Sequence, residues 1–211
     1  DDETVRRVQA LGHPLGSIGV SVSTGPVVDF RLKAHIHQAS EADSVPLIYP
    51  AHFQQGYVTW PRTNGRKPNA IDDCAKTRKW LMPQGCYTLT RRFSSKEERR
   101  RIYAAVYDPA RVDAEWIGFE NHLNVFHAHG KGLAPHLARG LALYLNSTVV
   151  DRYFRRFNGH TQVNATDLRA MPYPSRAALI ALGEKAPPDR FPPQELIDEW
   201  VDAMIVAESA S

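Results

Sequence analysis

The chain has 211 residues, of which 43% are hydrophobic and 23% charged, the composition of an ordinary soluble globular protein with one generous domain or a domain and an appendage. No run reaches the roughly 18 apolar residues that a membrane span needs, and no signal peptide opens the sequence. Its two cysteines, Cys74 and Cys86, are too few for a disulfide framework, so we expect a cytoplasmic protein.

Charge is distributed unevenly along the chain. Residues 61–111 hold 13 Lys and Arg against 5 Asp and Glu, a balance of +8, whereas residues 175–211 hold 3 against 7, a balance of −4. Most basic runs are solvated surface, but the middle segment carries almost all of the excess charge. The pattern therefore favours a basic face that binds a polyanion and a separate acidic tail.

The first part of the chain predicts one helix followed by short strands. Residues 1–14 begin with DDETVRRVQALG, a polar helix that we expect to enter from a missing upstream domain. VSVSTGPVVDF, residues 20–30, alternates around Gly25-Pro26 and predicts a strand, a turn and a second strand. VPLIYP and GYVTWP then predict two short strands that are bounded by prolines.

The segment CYTLTRRFSSKEERRRIYAAVYDP, residues 86–109, admits two interpretations. Ser94 or Ser95 with Glu97 or Glu98 could form the capping box that starts a helix. Alternating apolar residues on both sides of SSKEE instead predict a β-hairpin with SSKEE at its tip. We favour the hairpin.

The second part of the chain predicts mainly helices. GFENHLNVFHAHG is typical of one more strand, and GLAPHLARGLALYLN has the leucine spacing of a helix. STVVDRYFRRF predicts a helix that is capped by Asn146 or Ser147 and ends at Asn158-Gly159, and SRAALIALG predicts a short one. Residues 184–211 predict a Pro-rich linker and an amphipathic helix, ELIDEWVDAMIVA, whose apolar stripe should dock on this chain or on a missing part. Strands first and helices late predict an α+β fold.

Two kinds of metal chemistry are weighed and not favoured. His35/His37 and His127/His129 form H-x-H pairs, but the tight spacing of a zinc site is absent, and scattered structural histidines are the more frequent explanation. ENHLNVFHAH superficially resembles an HNH nuclease and DFRLK places an acid near a lysine, yet further acidic ligands for a hydrolytic metal are missing. A metal-dependent DNA endonuclease domain stays the alternative function, and we predict neither catalytic residues nor a metal site in this chain.

Basic residues around the proposed hairpin are candidates for binding DNA phosphates. Two acids at its tip cannot neutralise the surrounding bases, and a protruding basic hairpin suits phosphate contacts, which fix register and supply salt-dependent affinity. The candidates, with two from the preceding loop, are Arg66, Lys67, Arg91, Arg92, Lys96, Arg99, Arg100 and Arg101.

The stretch RRFNGHTQVNATDLRAMPYP, residues 155–174, is rich in amide and imidazole side chains. If it is extended, the side chains of four residues project from one side and could contact base edges in the major groove: Asn158, His160, Gln162 and Asn164. Alternatively, Asn-Gly forms a turn and the later Thr-Asp pair caps a short helix, which makes the segment structural. From the residues alone, the two interpretations carry equal weight.

Longer segments resemble a known family. IGFENHLNVFH and GLALYLNSTVVDRYFRRFNGHTQVNATDLRAMPYPS, with STGPVVDFR, PLIYPAHF, KPNAI and RRFSSKEERRRI, are similar to the C-terminal specificity region of adenine-specific DNA methyltransferases of type II restriction–modification systems. These are the Eco-type methylases, with a TaqI-like target-recognition domain. The polar stretch and its closing Pro-x-Pro also resemble the recognition domains of type I specificity subunits.

This resemblance implies a domain that chooses the DNA site for an upstream methyltransferase domain of the same parent chain, in a bacterial or archaeal cytosol. In the family, that upstream domain binds S-adenosylmethionine and carries an Asn-Pro-Pro-Tyr/Phe motif for the flipped adenine, whose removal from the stack costs unpairing energy. Neither that motif nor the Gly-rich cofactor loop occurs here. We therefore expect no cofactor in this fragment, and double-stranded DNA rather than a membrane as its partner.

The resemblance also shifts the interpretation of the polar stretch. A segment that recurs in proteins with different target sequences cannot supply most of the base contacts that distinguish those targets. Residues 158–164 are therefore expected to be a structural hinge and phosphate clamp. The variable base contacts would then come from residues 34–45 and 61–80. We predict a sequence-specific DNA-recognition domain over residues 15–183, with a non-enzymatic interaction module as a third alternative.

Overall fold

The structure, a computed structural model, describes residues 2–210, and of Asp2 it describes the backbone alone. Over this range, short strands dominate the first part of the chain and helices the last part, which confirms the α+β fold class. The strands are β1 (Ser21–Thr24), β2 (Ile36–His37), β3 (Ser44–Ile48), β4 (Phe53–Gln54), β5 (Tyr57–Val58), β6 (Ala70–Asp72), β7 (Met82–Pro83), β8 (Tyr87–Arg91), β9 (Ala104–Tyr107), β10 (Trp116–Phe119) and β11 (Leu123–His127).

The strands form two sheets. The larger sheet has the order β1-β11-β8-β9-β5-β4, and its centre is the antiparallel pair β8–β9, in register from Tyr87–Tyr107 to Thr90–Ala104. The smaller sheet has the order β2-β6-β3-β10-β7, with β10 parallel to β3. Consecutive strands β10 and β11 belong to different sheets, so the short turn between them joins the two layers.

Helices cover one face of the larger sheet. They are α1 (Asp2–Gln9), α2 (Pro135–Leu145), α3 (Thr148–Phe157), α4 (Ala165–Ala170), α5 (Arg176–Glu184) and α6 (Gln194–Ser209). The α2 and α5 backbones touch at two glycines, because a Cβ on Gly140 would lie 1.8 Å from the Leu179 carbonyl oxygen and one on Gly183 would lie 1.8 Å from that of His136. Neither helix could accept a larger residue at these points without separating from the other.

The larger sheet is buried on both faces. Strand alternation sends Ala104 and Val106 to the helical core, whereas Leu89 and Val125 face the smaller sheet in a second core. A third, smaller cluster lies on the outer side of the smaller sheet. The order of layers is therefore helices, larger sheet and smaller sheet.

Several predicted elements are confirmed. Residues 86–109 form a β-hairpin rather than a capped helix. Ser147 caps α3, its hydroxyl accepting the Val150 N–H at 3.4 Å, and the helix ends at Asn158 as predicted. The apolar stripe of α6 docks on this chain, with Ile197 and Val201 buried in the helical core.

Three local predictions are wrong. The second strand after Gly25-Pro26 is reduced to a single bridge between Val27 and Glu120, since the following residues turn into a 3₁₀ helix at Asp29–Arg31. The one strand expected in GFENHLNVFHAHG is divided between β10 and β11. The short helix α4 is capped by Asn164, two residues before the predicted Thr166, because Asp167 completes a capping box with Asn164.

Candidate nucleic-acid interface

The connection between β8 and β9, residues 92–103, lies against the polar stretch rather than protruding into solvent. The Ser94 N–H donates to the Thr161 carbonyl at 3.0 Å, and the Val163 N–H donates to the Arg92 carbonyl at 2.7 Å. These bonds add residues 161–163 as a short antiparallel strap beside the hairpin. The strap brings together two sets of predicted DNA contacts.

Three arginines of this hairpin bond within the chain through their side chains. The Arg91 guanidinium donates to the Glu98 carboxylate at 3.1 Å. Arg92 donates to the Asn121 carbonyl at 2.8 Å, and Arg100 to the Asn146 carbonyl at 2.6 Å. Each is half-buried, so the first use of these charges is to tie the 92–103 loop to its neighbours.

The prediction for Arg101 needs correction. Its side chain is 0% exposed, which removes it from the reach of any duplex on the surface. Its guanidinium donates to the Ser94 hydroxyl at 3.1 Å and to the His160 carbonyl, while Nη1 has no hydrogen-bond partner among the described residues. Burial lowers the pKa of the group. Arg101 therefore links the hairpin to the polar stretch through buried hydrogen bonds.

The other predicted phosphate contacts are open to solvent. Arg66, Lys67, Lys96 and Arg99 are all exposed. The Lys67 ammonium lies 5.3 Å from the centre of the Tyr49 ring, a cation–π contact that leaves part of its charge outward. Of the eight predicted phosphate contacts, these four are the cations that are open to a polyanion in solvent.

The polar stretch is a turn whose amides have internal partners. The Asn158 side chain accepts the His160 N–H at 2.8 Å and donates to the Gln162 carbonyl at 3.4 Å, and Asn158 is 7% exposed. Asn164 caps α4. His160 is exposed and Gln162 half-exposed, and neither side chain has a polar partner within the described range. Asn158 and Asn164 therefore stabilise the turn, and the side chains of His160 and Gln162 are available to a ligand.

A shallow groove of about 230 Å³ lies beside the 92–103 loop. Phe93, 39% exposed, contacts the His122 ring with 5.3 Å between centroids. The groove is lined by Tyr49, Pro50, Ala51, Lys67, Arg91, Phe93 and His122. Cations alternating with exposed rings suit contact with both the phosphates and the bases of a nucleic acid.

Tyr49 joins this groove to a second one of about 220 Å³. Phe30, 64% exposed, and Lys33 line the second groove, and Arg31 stacks over the Phe30 ring at 5.5 Å. The Tyr49 hydroxyl donates to Asp29 at 3.3 Å, and burial with the nearby Asp29 and Glu120 carboxylates raises the pKa of Tyr49. Tyr49 therefore stays neutral, and its buried ring forms the wall between the two grooves.

A buried carboxylate holds His122 in place. Both Glu120 oxygens accept hydrogen bonds from His122, one from its backbone N–H at 2.8 Å and the other from Nδ1 of the ring. Glu120 is buried and the His122 side chain is 49% exposed. Phe30, Phe93 and His122 were not predicted to lie in the interface, because exposure of an apolar or aromatic side chain cannot be inferred from residue type.

Three of the four H-x-H histidines have structural partners. His35 and His37 bond the two oxygens of Asp72 at 3.1 and 2.7 Å, and the bond from His37 is the main reason that the pKa of Asp72 is lowered. His127 contacts the Ser23 hydroxyl at 2.6 Å. Within residues 2–210, no group of three or more His, Cys, Asp or Glu side chains is arranged to hold a metal ion.

His122 and His127 of ENHLNVFHAH do not form one site. His122 precedes β11 and His127 ends it, so about five residues of extended strand separate them, roughly 17 Å. The acid of DFRLK, Asp29, accepts the Tyr49 hydroxyl. Across the described helices, none is long and apolar enough to span a membrane.

Two curated proteins are similar to this chain over most of its length. It is 44% identical over 200 residues to the type II methyltransferase M.PstI of Providencia stuartii, which takes in 95% of this chain and 39% of the relative. It is 52% identical over 172 residues to the type II methyltransferase M.BsuBI of Bacillus subtilis, which takes in 82% of this chain and 34% of the relative. The chain thus spans little more than a third of the length of these relatives.

Comparison with family models and solved structures adds less. No protein-family model matches the chain. A chain from a solved type I R-M system aligns with 99% of this chain and 48% of its own length, at 12% identity and a TM-score of 0.37. That score is too low to establish a shared fold.

Proposed function

We propose, from the premise that the chain is related to type II methyltransferases over little more than a third of their length, that it is a sequence-specific DNA-recognition domain. Its parent would be an adenine-specific DNA methyltransferase of a restriction–modification system. An upstream domain of that parent would bind S-adenosylmethionine and transfer the methyl group, while this domain selects the duplex site.

The observation that carries the proposal is the similarity of nearly the whole chain to type II methyltransferases, together with the absence of the family's catalytic motifs from these residues. Identity of 44% extends over 95% of this chain but reaches only 39% of the relative. A methyltransferase must hold a cofactor, and the family's Gly-rich cofactor loop and adenine-gripping motif are absent from these residues. The chain therefore fits the part of such an enzyme that lies outside its catalytic domain.

The geometry of the interface supports DNA as the partner. Lys67 and Arg91 line one of the two grooves that meet at Tyr49, and Lys33 lines the other. Lys67, Lys96 and Arg99 would contact phosphates, which supply salt-dependent affinity, and the exposed rings of Phe30 and Phe93 would pack against sugars or bases. No comparable arrangement of the described residues favours the nuclease alternative.

Selection from a library of random duplexes tests the recognition function. The chain should enrich one short sequence over successive rounds, and competition by single-base variants of that sequence should cost about 1 to 3 kcal/mol for each contacted base pair. Binding without enrichment would reduce the domain to a general polyanion binder. A chain that binds no duplex at about 50 mM salt would refute the proposal.

Calorimetric titration tests whether cofactor binding belongs to the upstream domain and not to this chain. We expect no measurable binding of S-adenosylmethionine and no methyl transfer by this chain alone. Micromolar cofactor binding would show that the catalytic site lies at least partly in these residues. Cleavage of a plasmid in Mg²⁺ that is lost on His122→Ala would instead support the endonuclease alternative.

A further inference from the structure

Residues 61–68, the sequence PRTNGRKP between β5 and β6, form the most exposed cationic segment near the grooves. Residues 61–67 are all exposed, and the loop holds three cations and no acid. Arg62 reaches the Ala51 carbonyl at 3.3 Å, and Lys67 lies over Tyr49. Arg66 is different, since its guanidinium has no polar partner among residues 2–210.

One buried side chain closes this loop at its base. Asn69 is 3% exposed, and its Oδ1 accepts the Arg62 N–H at 2.9 Å while its Nδ2 donates to the Arg62 carbonyl at 3.1 Å. Nδ2 also donates to the Gln38 carbonyl at 2.9 Å. The Asn69 amide therefore ties the start of the 61–68 loop to its end and to the neighbouring 38–41 segment.

A histidine behind Asn69 completes the network. His52 is 1% exposed, and its Nε2 lies 2.8 Å from Asn69 Oδ1 while Nδ1 accepts the Tyr49 N–H at 3.0 Å. Because Nδ1 accepts, the proton lies on Nε2, which donates to Asn69. Burial lowers the pKa of His52, which keeps the ring neutral at physiological pH.

Such a network costs free energy unless all of its polar atoms are satisfied, and here the Asn69 side chain makes four hydrogen bonds, as many as an amide can. A phosphate contact does not need this precision, because a long cation on a flexible loop finds a phosphate from many positions. Contact with one base edge does need it, since a bidentate bond depends on the position and angle of the guanidinium. The rigid base beneath a free arginine is thus explained by recognition of a base.

We propose that Arg66 is a specificity-determining residue that pairs with O6 and N7 of a guanine in the major groove, and that Asn69 and His52 are its positioning residues. The inference rests on the proposed function and refines it, because the sequence analysis assigned Arg66 to phosphate. Arginine is suited to this edge because its planar fork matches the two guanine acceptors in a fixed geometry, whereas the ammonium of lysine is a point charge on a flexible stem.

The test uses the full chain and the duplex that it selects. Replacing each guanine in turn by 7-deazaguanine removes N7, and at one position this should weaken wild-type binding by about tenfold. In Arg66→Ala, binding to the intact site falls and 7-deazaguanine at that position has no further effect. Arg66→Lys keeps the charge but loses the planar fork, so its binding and its 7-deazaguanine effect should lie between those of the wild type and Arg66→Ala.

Arg99→Ala is the matched control. It removes an exposed cation of the 92–103 loop and should weaken binding to all duplexes equally, with the 7-deazaguanine effect intact. If Arg66→Ala behaves in the same way, Arg66 contacts phosphate and this inference fails while the proposed function stands. If the wild-type chain selects no sequence, the proposed function fails and this inference falls with it.

Asn69→Asp tests the positioning role with a variant of nearly the same shape. It keeps the acceptor toward His52 and loses both donations from Nδ2. Discrimination at the guanine of Arg66 should fall several-fold, while the salt dependence of binding stays that of the wild type, because phosphate contacts are unchanged. Unchanged discrimination in a folded Asn69→Asp protein would overturn the positioning role.

Discussion

Two basic loops of this protein use the same residue types in opposite ways. In the 61–68 loop, buried polar groups hold the backbone and the cations stand in solvent. In the 92–103 loop, Arg92, Arg100 and Arg101 turn inward and their guanidinium groups hold the backbone of other segments. One loop is anchored by a buried amide and leaves Arg66 free, and the other is anchored by its arginines.

The difference shows that a count of basic residues does not measure an interface. Guanidinium groups carry five donors, so an arginine beside several free carbonyls can be satisfied inside a protein at a modest cost. The carbonyls of Asn121, Asn146 and His160 are such acceptors around the 92–103 loop. The 61–68 loop is closed by the Asn69 amide instead, which leaves Arg66 without that role, while Arg62 donates to the Ala51 carbonyl.

The largest expected effect separates Arg101 from Arg66. Arg101→Ala should lower the free energy of unfolding by about 3 kcal/mol or more, because it removes charged hydrogen bonds to Ser94 and His160 and leaves a cavity. Arg66→Ala should change it by less than about 0.5 kcal/mol, as for other exposed positions. Urea unfolding curves of the two variants measure the contrast.

Arg101→Met sharpens this comparison. Methionine fills much of the same space and removes a buried charge whose Nη1 lacks a partner among the described residues, so the loss should be smaller than in Arg101→Ala. Equal stability of Arg101→Ala and the wild type would show that the buried guanidinium contributes nothing to the fold.

The hairpin, the α2 and α3 helices and the docking stripe of α6 could be predicted because each follows from a local pattern of apolar residues and caps. The direction of each arginine could not, since it depends on which carbonyls the distant turn 120–122 and the end of α2 bring to the loop. The capping box at Asn164 could have been predicted from the sequence, because Asp167 lies three residues after it. The grooves at Tyr49 could not be predicted, as they join residues from five separate segments.

A second, smaller effect concerns the strap that the 92–103 loop holds. Asn164→Ala should lower the free energy of unfolding by about 1 kcal/mol, through loss of the α4 capping box. Thr166→Ala, at an exposed position of the same helix, is the control and should be near neutral. Discrimination among duplexes should be unchanged in both variants; relaxed specificity in a stable Asn164→Ala protein would make Asn164 a base contact.

A third effect concerns the anchor of the 61–68 loop and depends on pH. The pKa of His52 is lowered in the folded protein, mainly by burial, so the unfolded chain takes up the proton first. Stability from His52 is therefore complete above about pH 6.5 and is lost as pH falls below it, by at most about 1.4 kcal/mol per pH unit. His52→Gln cannot titrate, and the difference between its pH–stability curve and that of the wild type isolates this contribution. Parallel curves would contradict the neutral, buried state of His52.

Replacing the exposed cations of the 92–103 loop should have the smallest effect on the stability of the protein and a clear effect on its binding to DNA. Lys96 and Arg99 face solvent, so replacing both by Ala should leave the free energy of unfolding within about 0.5 kcal/mol of the wild type. Each lost phosphate contact should reduce the magnitude of the slope of log K against log salt by about 0.9.

Arg92→Ala is the inward-facing counterpart in the same loop. This variant loses the hydrogen bond to Asn121, and its free energy of unfolding should fall by about 1 kcal/mol or more. Its slope of log K against log salt should match that of the wild type, because the Arg92 guanidinium bonds within the protein and not to phosphate. If the slope falls by as much in Arg92→Ala as in Lys96→Ala, the arginine leaves its carbonyl to bind phosphate. The 61–68 and 92–103 loops would then differ in the free protein but not in the complex, because the duplex would replace the internal hydrogen bonds of the 92–103 loop.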